Sequence, residues 1–300
     1  MNRRNTPRIS FIGFGEAGQA IASGLRDAGV ERIAAWDILF PDEAGAPLKA
    51  AGKAIGVRTA VSVADAVRET DIVISAVTAA SSVEAARSVA PHLNGNPYYL
   101  DINSVSPGHK QETARLLGER ARYVDVAVVA AIHPARHRTP LLIAGPHAEE
   151  ISPLLRELEM QLSVVGSETG SAAAIKMIRS VMIKGIEALT LECFLAAARA
   201  GVLDEVTASL KNNYPTLDWG QIADYNLERM ASHGARRAAE MEESAATLRE
   251  LGLDPLMVDS TVKRQREMGA IGKLETVRAA LKSGRAAILG AINAAAKNRH

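Results

Sequence analysis

The sequence is poor in cysteine, in aromatic residues and in net charge. A single cysteine, Cys193, excludes an internal disulfide, and its place in an apolar helical run predicts a buried, inert thiol. Aromatic residues make up only 4% of the 300 residues, so a core of Ala, Val, Ile and Leu is expected. A formal net charge of +1 gives no indication of nucleic acid or a charged membrane surface as a partner.

No long uninterrupted apolar run is present either. The most apolar stretch, residues 172–200, is broken by charged residues that include Lys176, Arg179, Lys184, Glu187 and Glu192. These charges exclude an ordinary membrane span. The basic segment Met1–Arg8 lacks the apolar centre of a secretory signal. We therefore expect a cytoplasmic protein that binds neither nucleic acid nor membrane.

The most informative pattern present is a glycine motif between a strand and a helix. It reads Gly13-Phe14-Gly15-Glu16-Ala17-Gly18, after the apolar segment 8–12 and before a helical pattern that stops near Gly29. Residues 32–36 form a second predicted strand, and Asp37 ends it about 20 residues past the glycines. Glycines alone often serve only a turn, but here strand, helix, strand and acid are in register. The segment predicts a dinucleotide-binding βαβ unit.

Each position of this motif has a physical role in binding a dinucleotide. Gly13 permits the tight turn, Gly15 lets a pyrophosphate approach the backbone, and Gly18 lets the helix lie close to the strand. The helix N-terminus offers free N–H groups to phosphates. Asp37 suits the two ribose hydroxyls and would repel a 2′-phosphate, so NAD is predicted and NADP is less favoured. Other predicted coenzyme contacts follow later strands, at Val77, Thr78 and Asn103.

The pattern of strands and helices continues to about residue 165. Apolar strand patterns cover residues 71–77, 98–102, 123–129, 141–145 and 162–165, with helical patterns at 81–90 and 106–120. This alternation predicts an α/β fold class, a Rossmann doubly wound, mostly parallel sheet followed by an all-α domain. Residues 170–200 read as one long helix, and later helices are separated by turns at Gly201, Asn212-Asn213, Gly252 and Gly269. We expect an NAD-binding domain at 1–166 and a linking helix with a helical domain at 167–300.

The predicted helix at 170–200 carries a polar stripe on an apolar body. Lys176, Ser180, Lys184 and Glu187 recur at helical spacing. Nine apolar residues are expected to be buried: Ala172, Ala173, Ile175, Met177, Ile178, Val181, Met182, Ile183 and Ile186. The stripe is either a solvated face or a functional one. A loop with Gly166 and Gly170 precedes the helix and could approach a ligand closely, which favours function.

The order of these features resembles the β-hydroxyacid dehydrogenase family, which includes 6-phosphogluconate and 3-hydroxyisobutyrate dehydrogenases. That family has a signature similar to GxxGxGxxxKxxxN, and here the segment runs from Gly166 through Gly170 to Lys176, which falls on the lysine of the signature, while Ser180 stands where an asparagine is usual. The resemblance implies hydride transfer to or from nicotinamide, with Lys176 as catalytic acid or base and Ser180 at the substrate. Desolvation and the charge of Arg179 are expected to lower the pKa of Lys176. The resemblance also implies a homodimer formed through the helical domain.

Two segments depart from the family pattern at the expected substrate site. The DxST turn is Asp101-Ile102-Asn103-Ser104, where Asn103 and Ser104 are predicted to contact the substrate. The DAPVSGG loop falls on residues 125–131, and Val129-Ala130-Ala131 replace the Ser-Gly-Gly that cradles a carboxylate. These three positions are still expected to line the substrate site. The change leaves open whether the substrate is a simple β-hydroxy acid.

Two histidines complete the predicted substrate site. His133 belongs to a loop with His137 and two arginines, which either binds an anion or is an exposed polar loop. Without a nearby acid or cysteine cluster, no metal site is predicted. His233 begins a segment that resembles a C-terminal domain found in an uncharacterised branch of the family. It either reaches the substrate or, with Arg237, belongs to a solvated face.

The sequence therefore favours an NAD-dependent oxidoreductase acting on a small hydroxy compound, such as a hydroxy acid. One alternative is another reaction on the same scaffold, as an imine reductase, a lyase or an epimerase. A third hypothesis is a non-catalytic NAD sensor, against which Lys176 argues.

Overall fold

The computed structural model describes residues 6–297, so residues 1–5 of the Met1–Arg8 segment lie outside the described residues. The described chain groups into two compact units, one extending to Lys176 and the other starting at Met177. The sequence-based boundary at 166 instead lies where the strands end and before the long helix.

The first unit contains one sheet, of eight strands among the described residues. They are β1 (Ile9–Ile12), β2 (Ile33–Trp36), β3 (Arg58–Thr59), β4 (Ile72–Ser75), β5 (Tyr98–Asp101), β6 (Arg122–Val128), β7 (Leu141–Ala144) and β8 (Leu162–Val164). The strand order is β3-β2-β1-β4-β5-β6-β7-β8, and β7 pairs with β6 as the antiparallel exception. This arrangement confirms the mostly parallel Rossmann fold. The order reverses between β1 and β4, where such sheets bind ligands beyond the strands' carboxyl ends.

Helices cover both faces of this sheet, so its central strands are buried. They are α1 (Glu16–Asp27), α2 (Ala46–Ala54), α3 (Val63–Val67), α4 (Ser82–Val89), α5 (Pro107–Leu117) and α6 (Ala148–Glu157). Ser106 caps α5 by accepting the His109 N–H at 3.4 Å, and Pro107 takes the first helical position. These signals place the start of α5 directly after the end of β5.

The second unit is all-α, as predicted. The long helix α7 (Ser171–Ala200) enters it, followed by α8 (Leu203–Asn213), α9 (Trp219–Glu250), α10 (Leu256–Ile271), α11 (Glu275–Ala280) and α12 (Arg285–Lys297). None of the helices described between residues 6 and 297 has the length and apolarity that a bilayer crossing needs.

The turn predicted at Gly269 is wrong, because this residue lies inside α10. A Cβ at Gly269 would collide with the backbone N of Ala235, and one at Gly234 would lie 2.5 Å from the Gln265 carbonyl oxygen. The glycine therefore serves close packing of α9 on α10 rather than a break in the helix.

The orientation of α7 is opposite to the prediction for several of its residues. Its polar stripe is buried: Ser180, Lys184 and Glu187 are 6%, 5% and 1% exposed. Five apolar residues predicted to be buried are exposed instead, Ile175, Ile178, Met182, Ile183 and Ile186, together with Leu189. Cys193 is also exposed, which contradicts the prediction of a buried thiol.

The physical reason is that ionic partners on α9 face the polar stripe. Arg237 is buried and forms a two-pronged ion pair with Glu187, and Gln265 of α10 donates to the same carboxylate at 2.8 Å. Lys184 Nζ lies 3.0 Å from a carboxylate oxygen of Glu240. Buried charges require such partners, so α7 turns its charges inward and its apolar face outward.

Candidate coenzyme and catalytic site

The glycine loop has the geometry that a dinucleotide pyrophosphate requires. Gly13 adopts a φ of +88°, and a Cβ there would collide with the Ala76 carbonyl oxygen. A Cβ at Gly18 would lie 2.7 Å from the Gly13 oxygen, whereas a Cβ at Gly15 would meet no described atom within 4 Å. Gly15 is also the N-cap of α1, and no side chain of the described residues caps the helix there. The open space over Gly15 and the free N–H groups fit a bound phosphate.

Asp37 lies beside this loop, at the end of β2. Its carboxylate accepts the N–H of Phe14 at 2.7 Å and the N–H of Leu39 at 3.0 Å. The bond from Phe14 ties the glycine loop to the end of the second strand, and the bond from Leu39 closes the turn after Asp37. The next residue, Ile38, is 82% exposed, so an apolar side chain stands where an enzyme specific for NADP would place an arginine.

Asn103 holds together the ends of two neighbouring strands. Its side-chain oxygen accepts the Val77 N–H at 2.7 Å, and its side-chain nitrogen donates to Ser75 Oγ at 2.9 Å and Ser82 Oγ at 3.2 Å. Both N–H groups of the amide are thus engaged within the protein. Thr78, the residue after Val77, contacts the Ser81 hydroxyl at 3.0 Å. The predicted coenzyme residues Val77, Thr78 and Asn103 therefore lie together.

The predicted catalytic lysine meets one of the predicted substrate residues. Lys176 Nζ lies 2.5 Å from Ser104 Oγ, which joins the second turn of α7 to the loop after β5. Residues 72 positions apart in sequence are thus in direct contact. An ammonium that is held by a hydroxyl can exchange a proton through it with a bound oxygen.

Three buried charged residues beneath this pair were not predicted. Lys110 of α5 is 1% exposed and donates to the Asp101 carbonyl oxygen at 2.6 Å, with the carboxylates of Asp101 and Asp125 at 3.0 and 3.7 Å. Burial raises the pKa of Asp125, and the Lys110 charge opposes that shift. For Asp101 and Asp125, the sequence signal was a carboxylate within an apolar strand, β5 or β6. Lys110 gave no such signal, since a lysine on an amphipathic helix is ordinarily exposed.

Four further predicted substrate residues lie in the segment after β6. Val129, Ala130 and Ala131 follow β6, where Val129 donates its N–H to the Pro140 carbonyl oxygen at 3.2 Å and both alanines are exposed. His133 is exposed in the next loop.

Ser180 and His233 belong to the second unit. Ser180 Oγ accepts Lys184 Nζ at 3.1 Å, and burial lowers the pKa of Lys184 while Glu240 opposes that shift. His233 is half-buried on α9. The role of each of these residues in substrate binding stays a prediction.

The sheet order, the glycine loop and the acid after β2 define a dinucleotide-binding Rossmann scaffold. Residues 8–166 match the family described as the NAD binding domain of 6-phosphogluconate dehydrogenase, and this protein belongs to that family. Residues 197–268 match a domain of unknown function, DUF1932.

Three solved structures resemble the chain over most of its length. A conserved hypothetical protein from Sinorhizobium meliloti is 37% identical, with a TM-score of 0.77 and 97% of each chain covered. A conserved protein of unknown function, described as structurally similar to 3-hydroxyacid dehydrogenases, is 31% identical with a TM-score of 0.71, covering 88% of this chain and 97% of its own. The 3-hydroxyisobutyrate dehydrogenase of Mycobacterium tuberculosis shares the fold at 16% identity and a TM-score of 0.71, with 89% and 94% covered.

Imine reductases share the same fold more distantly. The enzyme from Myxococcus stipitatus is 21% identical as a variant with NAD⁺ and 22% identical with NADP⁺, each with a TM-score of 0.54 and with 96% of this chain and all of that chain covered. The fold is therefore one that dehydrogenases and reductases share.

Proposed function

We propose that the protein is an NAD-dependent oxidoreductase that transfers a hydride between nicotinamide and a small hydroxy compound. The observation that carries this proposal is the contact of Lys176 Nζ with Ser104 Oγ in a unit whose glycine loop fits a dinucleotide. A bare binding module has no need for an ammonium held at this place. The alternative interpretation of the sequence, in which Lys176 belongs to a solvated face, is less consistent with a side chain that forms this hydrogen bond.

The mechanism assigns separate tasks to binding residues and to the lysine. When bound, the coenzyme accepts or donates the hydride. Backbone N–H groups at the start of α1 would bind its phosphates, and Asp37 would bind its ribose hydroxyls. During oxidation, the neutral amine of Lys176 would take the hydroxyl proton and become an ammonium while the carbon gives its hydride to the nicotinamide, and during reduction the ammonium would return that proton to the oxygen. Ser104 holds the ammonium in place and relays the proton.

The proposed coenzyme is NAD rather than NADP. Asp37 supports this preference, since its carboxylate stands at the end of β2 and would repel a 2′-phosphate. The exposed Ile38 supplies no positive charge to offset that repulsion. Titrating both coenzymes against the purified protein tests the preference, and tighter binding of NADP would contradict it.

The substrate class is proposed from the loop after β6. Val129-Ala130-Ala131 retain the backbone but present side chains where the family pattern has Ser-Gly-Gly. NADH formation should therefore be followed with two panels of substrates, β-hydroxy acids and hydroxyl compounds without a carboxylate, including aromatic ones. Turnover of acids alone would indicate carboxylate binding through the backbone of this loop. Turnover of the other panel alone would indicate a changed substrate class on the same scaffold.

Imine reduction is the second candidate reaction, favoured by the imine reductases among the structures that share the fold. NADH consumption with cyclic imines, or with a ketone and an amine, would support it over alcohol oxidation. Product formation without a net change in NADH would instead support a lyase or epimerase. Coenzyme binding without turnover of any panel would support a sensor.

The catalytic assignment makes a direct prediction for Lys176→Ala. Turnover should fall by at least about a hundredfold, since proton transfer by a positioned group contributes about 10²–10⁴-fold. NAD affinity, measured by fluorescence titration, should stay near that of the unchanged protein because the glycine loop is intact. Lys53→Ala, at an exposed lysine of α2, is the matched control and should retain full turnover. A Lys176→Ala protein with most of its activity would contradict the assignment.

The proposed partners are a small-molecule substrate and a second copy of the chain, with no nucleic acid or membrane. A homodimer through the exposed face of α7 would cover Ile178, Met182, Ile186 and Leu189. A cytoplasmic location stays a prediction of the sequence.

A further inference from the structure

We propose that Asp125 is a positioning residue that holds Lys176 against Ser104. The proposal rests on the proposed role of Lys176 as the acid or base. It concerns the buried charges beneath the site, which act on the lysine through the start of α7.

The first step is that Asp125 fixes the beginning of α7 to the sheet. One oxygen of its carboxylate accepts the N–H groups of Gly170 and Ala173, both at 3.1 Å. These are the free N–H groups of a helix N-terminus, where a negative charge is favourable. Lys176 lies one turn after Ala173 on the same helix, so fixing this turn fixes the base of the lysine side chain.

The second step is that the same cluster fixes Ser104. Asp101 Oδ1 accepts the N–H of Asn103 at 3.0 Å, and its other oxygen accepts the Tyr123 hydroxyl at 2.9 Å. Asp101 thereby holds the loop that presents Ser104. Lys110 lies between Asp101 and Asp125, and its charge joins the two anchors into one arrangement.

The third step is that burial leaves this arrangement without substitutes. Lys110, Asp101 and Asp125 are each at most 1% exposed, so water cannot replace a lost bond. The second oxygen of Asp125 has no hydrogen-bond partner among the described residues and is attracted to Lys110 by charge alone. Apolar residues usually fill a core with equal or better stability than buried ions. The directional bonds of Asp125 to the N-terminus of α7 hold that helix in a way that apolar packing cannot.

The test measures how Lys176 reacts with acetic anhydride, by peptide mass spectrometry of the full-length protein without substrate. Ser104→Ala sets the scale, because it removes the hydroxyl that Lys176 Nζ contacts. Asp125→Ala should raise the acetylation rate of Lys176 about tenfold, the factor that corresponds to about 1.4 kcal/mol, as expected for a lost bond to a charged group. Asp125→Asn should stay near the wild-type rate, because its amide oxygen still accepts the two N–H groups.

Two controls separate positioning from general loosening. Asp71→Ala removes another carboxylate that accepts a distant backbone N–H, that of Arg8 at 2.8 Å, and should leave Lys176 unchanged. The exposed Lys53 reports overall reactivity within every sample. NAD affinity should be the same in all variants, which shows that the first unit remains folded.

Unchanged acetylation of Lys176 in a coenzyme-binding Asp125→Ala protein would overturn the proposal. So would an equal rise at Lys53, or an Asp125→Asn variant as reactive as Asp125→Ala. The acetylation measurement needs no turnover. Absence of any oxidoreductase activity would therefore contradict the proposed function without affecting the test of Asp125. If a substrate is found, Asp125→Ala should lower kcat while Asp125→Asn largely restores it.

Discussion

At the scale of single residues, His137 is a titratable group in surroundings that do not suit its charge. It is 3% exposed, and neither ring nitrogen has a hydrogen-bond partner among the described residues. It packs on Gly24 of α1, where a Cβ would collide with the ring. Burial lowers its pKa from the ordinary 6.5, and the charge of Arg138 lowers it further, while Glu159 opposes the shift. The neutral ring is therefore the form that the fold accommodates.

This depressed pKa predicts a loss of stability in mild acid. The unfolded chain binds a proton at His137 more readily than the folded chain does. The stability that the neutral His137 ring contributes is therefore present above the ordinary pKa of 6.5 and is lost as pH falls below it. The melting temperature should drop between about pH 7.5 and about pH 5.5. In His137→Leu, which fills the site without titrating, the drop should be smaller.

The exposed His92 provides the matched control. His92→Leu should keep the wild-type dependence of melting temperature on pH. An identical dependence in His137→Leu and the wild type would show that other groups cause the acid loss.

At the scale of elements, the glycines of the coenzyme loop separate folding from binding. Gly15→Val should leave the melting temperature nearly unchanged, since its Cβ meets open space and its backbone φ of −73° suits valine. NAD affinity should fall at least about tenfold, because the side chain occupies the approach of the pyrophosphate. Gly18→Ala should instead leave NAD affinity nearly unchanged. It should lower the free energy of unfolding by about 1–3 kcal/mol, because its Cβ would clash with the Gly13 oxygen. Coenzyme titration and urea unfolding distinguish the two outcomes.

The packing of α9 on α10 depends on glycine in a way that can be measured. Gly234→Ala should destabilise the protein by about 1–3 kcal/mol or more, since its Cβ would lie 2.5 Å from the Gln265 oxygen. Gly290→Ala in α12 has no described atom within 4 Å of its Cβ and should stabilise by about 0.5–1 kcal/mol through helix propensity. Urea unfolding gives both values, and a neutral Gly234→Ala would show that the two helices can separate.

Local patterns were sufficient to predict most elements of the first unit. The strands from β1 to β8 except the two-residue β3 have apolar runs bounded by turn residues, and the βαβ motif carries its own spacing. The orientation of α7 could not be predicted, because Arg237 and Glu240, which pair with its stripe, lie about fifty residues further along the chain. For the same reason, the sequence indicated Lys176 and Ser104 separately, while the cluster of Lys110 with Asp125 required the folded sheet.

At the scale of the whole molecule, the exposed face of α7 suits a second copy of the chain. Gly185 and Ile186 are the central residues of this 30-residue helix, and Met182 and Leu189 stand at equal distances on either side. Antiparallel pairing about a two-fold axis would therefore place Met182 of one copy near Leu189 of the other. A Cβ at Gly185 would have no described atom within 4 Å, so nothing in the described chain requires a glycine there. The close approach of another helix would explain a glycine at this position. A groove of about 700 Å³ between α7 and α10 adjoins this face.

A charge introduced into this face should dissociate the proposed dimer. Leu189→Glu should raise the dimer dissociation constant about a hundredfold or more, since two leucines lose burial worth about 1.5–3 kcal/mol each. Leu251→Glu is the matched control, because both leucines are 58% exposed and Leu251 belongs to another element, at the C-terminal end of α9. Sedimentation velocity over a range of concentrations measures the constant. A monomeric wild type, or an undisturbed Leu189→Glu dimer, would contradict this interface.

The sheet that carries the coenzyme loop ends in two short strands, and this limits how molecules can add to one another. The outermost strands, β3 and β8, offer two and three residues. Such short edges give an incoming strand few backbone groups to pair with, so edge-to-edge growth into fibres is disfavoured. Association is left to helix faces, and a two-fold contact between helices closes on itself after two copies. The protein should therefore not form fibres at high concentration, even though the apolar face of α7 is exposed.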